Sequence, residues 1–211
     1  VPTSGYNAIM AGTGDREHPL YSASTTPGTA YNVVNRFYMI KDPNTGIMPS
    51  SWTPITEANL VDLSSTTKTY DGTGSGYYIT LPNPGEKVVN APLTVAGYTT
   101  FGTNTPAVPQ AGTCYPNLGV ARDYSVGFLS AAGQNANRSV QLDGGGFPPS
   151  AVYGLVSVTD SNGTTSLTPI LFGGGNQTGS GGGSALQAHK VVITGAGKRK
   201  RTYWYSESDK H

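Results

Sequence analysis

The closing stretch of the chain, VVITGAGKRKRTYWYSESDKH, carries the residue types most suggestive of chemistry. Val191, Val192 and Ile193 lead into Gly195, Gly197 and Lys198 much as a strand leads into a phosphate loop. That chemistry needs G-x-x-x-x-G-K followed by Ser or Thr, and a helix whose first amides hold the anion. Here Arg199 follows Lys198, and Tyr203, Trp204 and Tyr205 favour a strand. The basic run 198–201 beside three aromatics has the composition of a nucleic-acid patch. A formal net charge of +1 over 211 residues supplies no long-range field for DNA, RNA or an anionic membrane. Read as structure, RTYWY is a closing strand and GKRK its solvated turn, where cations also discourage edge-to-edge association. The sequence AGTGDRE holds a lone G-x-G without a helix pattern behind it, and reads as a turn.

Metal and nucleophile signatures are similarly incomplete. DPNTG (42–46) offers Asp42 and Asn44 as the first oxygen positions of a calcium loop, but Thr53 stands where the bidentate Glu belongs. His18, His189 and His211 are scattered, without H-x-x-x-H spacing or a cysteine partner, so zinc has no support. No G-x-S-x-G elbow occurs, Ser75, Ser180 and Ser184 each missing a flanking glycine. Cys114, in GTCYPNLG, reads as a buried structural cysteine and has no second cysteine to pair with. Asp15, Glu17, Asp123 and Asp143 are the acids from which a carboxylate pair could be drawn. Asp15, Arg16 and Glu17 are expected to form a local ion-pair and cap cluster in a loop. No catalytic residue and no cofactor site is assigned.

The elements that would position such residues are strands. Charged residues make up 12% of the chain, about half the usual share. Glycine (29) and proline (15) punctuate it densely, while 13 Tyr, 5 Phe and 2 Trp supply enough apolar surface to offset ordering entropy. A turn-rich, weakly charged, Tyr- and Thr-rich composition predicts an all-β protein of many short strands. No run approaches the ~18 apolar residues of a membrane-spanning helix. The chain opens at Val1 without a methionine, which suggests a removed leader or a piece of a longer protein.

Strand patterns recur at 6–14, 35–42, 76–81, 87–97 and 98–105. Phe37 and Met39 alternate with Tyr38 and Ile40 before the DPNTG turn. The clearest hairpin spans 152–172 around DSNG, Asn162-Gly163 supplying the positive-φ residues of a tight turn. Residues 52–63 suggest about two helical turns, with Thr56 as N-cap. Residues 173–187 form a Gly/Ser-rich flexible loop. A last strand is placed at 188–194 with a partner at 201–206. Apolar strands running into glycine and a polar loop recur at IMAGTGD, TTFGTNT and ILFGGGN, too irregularly for a solenoid but in keeping with propeller blades carrying insertions.

Three groups of motifs, taken in order, resemble a known family. They are MAGTGDREHPL (10–20) with NRFYMIKD (35–42); GYYITLPNPGEKVVNAPLTVAGYTTFGTNTP (76–106); and CYPNLGVARDYSVGFLSAAG (114–133) with LDGGGFPPSAVYGLV (142–156) and RKRTYWY (199–205). Together they resemble the C-terminal β-propeller region of the PilC/PilY family of type IV pilus tip-associated proteins, over nearly the whole chain, 1–211. On that resemblance GEKVVNAPLTVAGYTTFGTNTP is two neighbouring strands of a blade, with Gly97 in the turn and Phe101 packed inward. GGGFPPS needs glycines at positive φ and prolines for an extended exit. NLGVARDYSVGFLSAAG is an outer hairpin. At roughly 40–50 residues per blade, the chain would supply about three or four blades or partial blades, as the C-terminal part of a longer protein.

The resemblance implies a secreted, surface-displayed, non-enzymatic protein of the bacterial cell surface or outer membrane. Its implied partners are minor pilins at the pilus tip, and its implied roles are pilus assembly and attachment to host or abiotic surfaces. The family's acidic calcium loop has no counterpart in these residues, so no calcium ligands are carried over. The competing expectation is a secreted propeller enzyme, quinone-dependent or carbohydrate-active.

Overall fold

The computed structural model describes residues 5–18, 21, 33–44, 50–51, 53–108, 111–112, 117–134, 137–173 and 188–190. Among these the chain is all-β: twelve strands in three separate sheets, none closed into a barrel, with one short 3-10 turn. This is the all-β, many-stranded architecture expected of a portion of a β-propeller, and the packing of the sheets positions the side chains of interest.

The first sheet has the order β1-β2-β4-β3, built from β1 (Asn7–Gly12), β2 (Arg36–Asp42), β3 (Val61–Asp62) and β4 (Gly76–Thr80). Its pairs are antiparallel except β3 with β4. The period-2 alternation of strand side chains puts Phe37 and Met39 on the buried face, both fully buried, with Tyr77 and Ile79 of β4 beside them. Gly76 is required at the start of β4: a Cβ there would lie 2.0 Å from the Met39 carbonyl oxygen.

The second sheet is built around β7 (Tyr98–Thr105) and β8 (Val120–Gly127), with β5 (Lys87–Val88) and β6 (Leu93–Val95) on one side and β9 (Ser139–Gln141) on the other. The Val95–Tyr98 turn passes through Ala96 and Gly97, both at positive φ. Phe101 faces Tyr124 directly across the β7–β8 ladder, and both point into the core. The residues predicted as an outer hairpin do turn back, with an antiparallel bridge from Val126 to Gly133, but their strand β8 lies inside the sheet rather than at its edge. β8 is paired on both edges, and its apolar face, Tyr124 and Val126, is buried in the core shared with the first sheet.

The two sheets pack face to face. Phe37 stacks on Phe101 with centroids 3.9 Å apart and planes 6° from parallel, and Phe101 stacks on Tyr124 at 4.9 Å and 8°. Leu63, Leu81, Val88, Val126 and Ala131 close around this column.

The third sheet is β10 (Val152–Thr159), β11 (Thr165–Phe172) and β12 (Ala188–Lys190) in that order. The hairpin falls at its predicted ends, with Gly163 at φ 77° in the turn. β12 pairs with β11; residues 191–194 of the predicted last strand and its expected partner at 201–206 lie outside the described residues.

The predicted helix over 52–63 does not form. A single 3-10 turn, Glu57–Asn59, is followed by strand β3. Thr56 does open it, but its N–H and hydroxyl donate to Asn59 Oδ1 at 2.8 and 3.0 Å. A nucleus of one turn does not propagate when Leu63 can be buried by leaving the helix. Of the Gly/Ser-rich loop 173–187, all but Gly173 lies outside the described residues.

Candidate functional site

The ionisable side chains most deeply buried lie where the two packed sheets meet. Glu86 is 1% exposed, just before β5. Its Oε1 accepts hydrogen bonds from the Thr103 hydroxyl (2.7 Å) and the Tyr124 phenol (3.0 Å). Its Oε2 accepts from Asn83 Nδ2 (2.7 Å) and the Asn83 backbone N–H (3.3 Å). The Glu86 carbonyl accepts from Asn35 Nδ2 (2.8 Å), and Asn35 Oδ1 accepts from Thr13 (3.1 Å). Glu86 thus joins β7 and β8 of the second sheet to the first, its carboxylate holding the loop that leaves β4 and its main-chain carbonyl the loop that enters β2. Burial, reinforced by the Glu86 charge and hydrogen bond, pushes the Tyr124 phenol well above its ordinary value of 10.0.

Next to it, Lys87 is also fully buried, and its ammonium donates to the His18 carbonyl. Burial draws its pKa below the ordinary 10.5, partly opposed by the Asp15 charge. The loop 13–18 is folded over this stem, since a Cβ on Gly14 would lie 2.4 Å from the Lys87 Cβ.

Arg138 makes the second link. Its guanidinium donates to the carbonyls of Ala131 (2.8 Å), Leu63, Ser65 (3.1 Å) and Lys68 (3.1 Å). A planar fork with five donors suits such a set of divergent carbonyls. It fastens the loop after β3, in the first sheet, to the β8–β9 end of the second. Tyr77 adds a third link, its phenol donating to the Phe128 carbonyl at 3.1 Å, and burial raises its pKa too.

A cleft of about 820 Å³ opens at the edge of the first sheet, lined by Tyr6, Ile9, Ile40, Lys41, Asp42 and Ser75 among others. Lys41 is held there by the Gly72 carbonyl at 2.5 Å and lies 5.3 and 4.9 Å from the ring centroids of Tyr6 and Tyr70. Asp42 accepts from the Asn44 N–H (2.9 Å), the turn geometry anticipated for DPNTG.

The acids singled out in the sequence are not brought together as a pair. Asp15 bonds His18 Nδ1 at 2.5 Å, and that hydrogen bond holds its carboxyl below the ordinary range. Of the expected Asp15–Arg16–Glu17 cluster the cap forms, the Glu17 N–H donating to Asp15 Oδ1 at 3.1 Å, but the ionic partner of Asp15 is His18, and the Arg16 guanidinium lies 5.5 Å over the Phe147 ring. Asp123 is buried in β8, while Asp143 is exposed in the turn after β9. Among the described residues no three His, Cys, Asp or Glu come together as a metal site. His189 belongs to β12, and Cys114, His211 and the tail 198–205 lie outside the described residues.

Glu86, Lys87 and Arg138, absent from the acids and bases singled out in the sequence, are the ones that organise the structure. The available signal was GEKVVN, a charged pair directly abutting a β-branched run, where burial of the strand drags its charged neighbours inward.

No protein-family model and no curated protein matches the chain. Among solved structures it is similar to the crystal structure of the C-terminal domain of PilY1 from Pseudomonas aeruginosa, with 14% identity and a TM-score of 0.45. The match covers 81% of this chain and 41% of that one, so the chain spans about two fifths of that domain's length.

Proposed function

We propose that this chain is a non-catalytic structural and adhesive module: part of a PilC/PilY-type propeller at the tip of a type IV pilus, secreted to the bacterial surface. In this reading it promotes pilus assembly with minor pilins and attachment to surfaces or host cells. The pilus assignment rests on the resemblance of the three groups of long motifs, taken in order, to that family.

The observation that carries the non-catalytic half is the use made of the buried polar groups. Glu86, Lys87 and Arg138 direct their donors and acceptors at backbone and side chains that join one sheet to the other. A catalytic acid or base has to keep a lone pair or proton aimed at a space where a substrate sits. Groups consumed in this way produce a rigid platform.

The test is genetic and biochemical. Deleting the gene should reduce surface pili and twitching, and the purified protein should co-purify with minor pilins. Wild-type piliation in the deletion strain, with turnover by the purified protein on a panel of sugars or alcohols, would overturn the proposal in favour of a propeller enzyme.

A further inference from the structure

The third sheet has an unusual edge. β10 is the longest edge strand among the described residues, eight positions reading VYGLVSVT, without a charge or a proline. Edge strands are ordinarily protected by brevity, charge, proline or a bulge. Of the edges of the other two sheets, β3, β5 and β9 are brief, with two, two and three residues, and β1, with six, is the next longest after β10. β10 shows none of these protections.

The hydrogen-bond phase of this edge follows from its turn. The Asp160 N–H donates to the Thr164 carbonyl, so even-numbered residues of β10 face β11. The N–H and C=O groups of Tyr153, Leu155, Ser157 and Thr159 therefore point away from the hairpin. Side chains on both faces are apolar and exposed: Val152 and Val158 on one, Leu155 and, from β11, Leu167 (70% exposed) on the other. An uncharged strand of about eight residues, apolar on both faces, would satisfy this whole edge and set its own apolar side chains in cross-strand pairs with these.

β10 is itself a strand of that description. We propose that β10 pairs antiparallel with β10 of a second copy of this chain, about a two-fold axis passing through Val156. In that register the outward groups of the two copies meet in hydrogen-bonded pairs, Tyr153 opposite Thr159 and Leu155 opposite Ser157. Val156 faces its own counterpart. The contact is isologous and joins two three-stranded sheets into one of six.

Light scattering on the 211-residue chain, from micromolar to millimolar concentration, tests this. The expected result is a monomer that passes to a dimer, and no larger species, as concentration rises. Ser157→Pro removes an outward N–H that the hairpin does not use, and should abolish the dimer while circular dichroism retains its β signal. Val156→Lys sets two lysines opposite each other and should also give monomer, whereas mixing it with Val156→Glu should restore a heterodimer. This rescue holds the test open if Ser157→Pro unfolds the hairpin. Leu167→Ser, on a face rather than the edge, should leave dimerisation intact. A monomer at every concentration, a dimer untouched by both Val156→Lys and Ser157→Pro, or a dimer lost in Leu167→Ser alone would each overturn the proposal.

Discussion

The β7–β8 pair and the β10–β11 pair have much the same strand propensity: each joins two eight-residue strands in which, taken together, more than half of the residues are β-branched or aromatic. Their surroundings are opposite. Phe101 and Tyr124 are at most 3% exposed, stacked against Phe37 from another sheet, while Leu155 and Leu167 stand 59% and 70% exposed. The difference lies outside the strands. The first pair is flanked by residues that reach across to a neighbouring sheet, Glu86 and Arg138 above all; the described part of the second has no comparable link. Strand propensity makes a ribbon, and polar cross-links decide which ribbon becomes a core.

The largest break in this contrast should come from Phe101→Ala. It removes the middle ring of the stacked column and leaves a cavity, at a cost of about 3–5 kcal/mol. Chemical denaturation should show the midpoint falling steeply, and a change below ~1 kcal/mol would mean that the column is not the core's centre.

Arg138→Lys should follow, at about 2–3 kcal/mol. An ammonium keeps the charge but cannot meet carbonyls on both sheets at once, so a loss this large from a charge-conserving change would isolate the cross-link from simple electrostatics. Stability equal to the parent chain would refute the link.

Alkaline pH sharpens the comparison without mutation. Tyr77 and Tyr124 have folded-state pKa values raised above the ordinary 10.0. Above that pH the unfolded chain releases phenol protons that the folded chain keeps, so stability falls as pH rises, by at most about 1.4 kcal/mol per group per unit. Lys87 acts in the other direction, its lowered pKa adding stability as pH approaches 10.5 from below and nothing beyond it. In an ultraviolet titration two of the tyrosines should ionise only together with unfolding.

Leu167→Ser marks the other pole. With its side chain mostly in water, the change should move stability by no more than about 0.5 kcal/mol. A loss comparable to that of Phe101→Ala would show the hairpin to be a second core.

Much of this architecture was legible in the residues. The alternation of Phe37 and Met39, the turn glycines at 97 and 163, and the limits of β7 and of the 152–172 hairpin follow from period and turn chemistry alone. The failures share a cause. Residues 52–63 carry helical spacing, yet Leu63 is buried through strand pairing that only the distant β4 provides. The 117–133 segment looks like an outer hairpin until β7 and β9 arrive on both edges of β8. Glu86 and Arg138 were invisible as organising residues because their partners lie as far as 75 positions away. Local pattern specifies ribbons; it carries no record of which ribbon covers which.

The most direct test of that claim is native-state hydrogen exchange, residue by residue. The account predicts that the amides of Leu63, Val89 and Ser125, bonded at the junction, exchange only through global unfolding, while those of the β10–β11 ladder open locally at far lower free energy. Equal protection in the two regions, or a hairpin more protected than the junction, would contradict it.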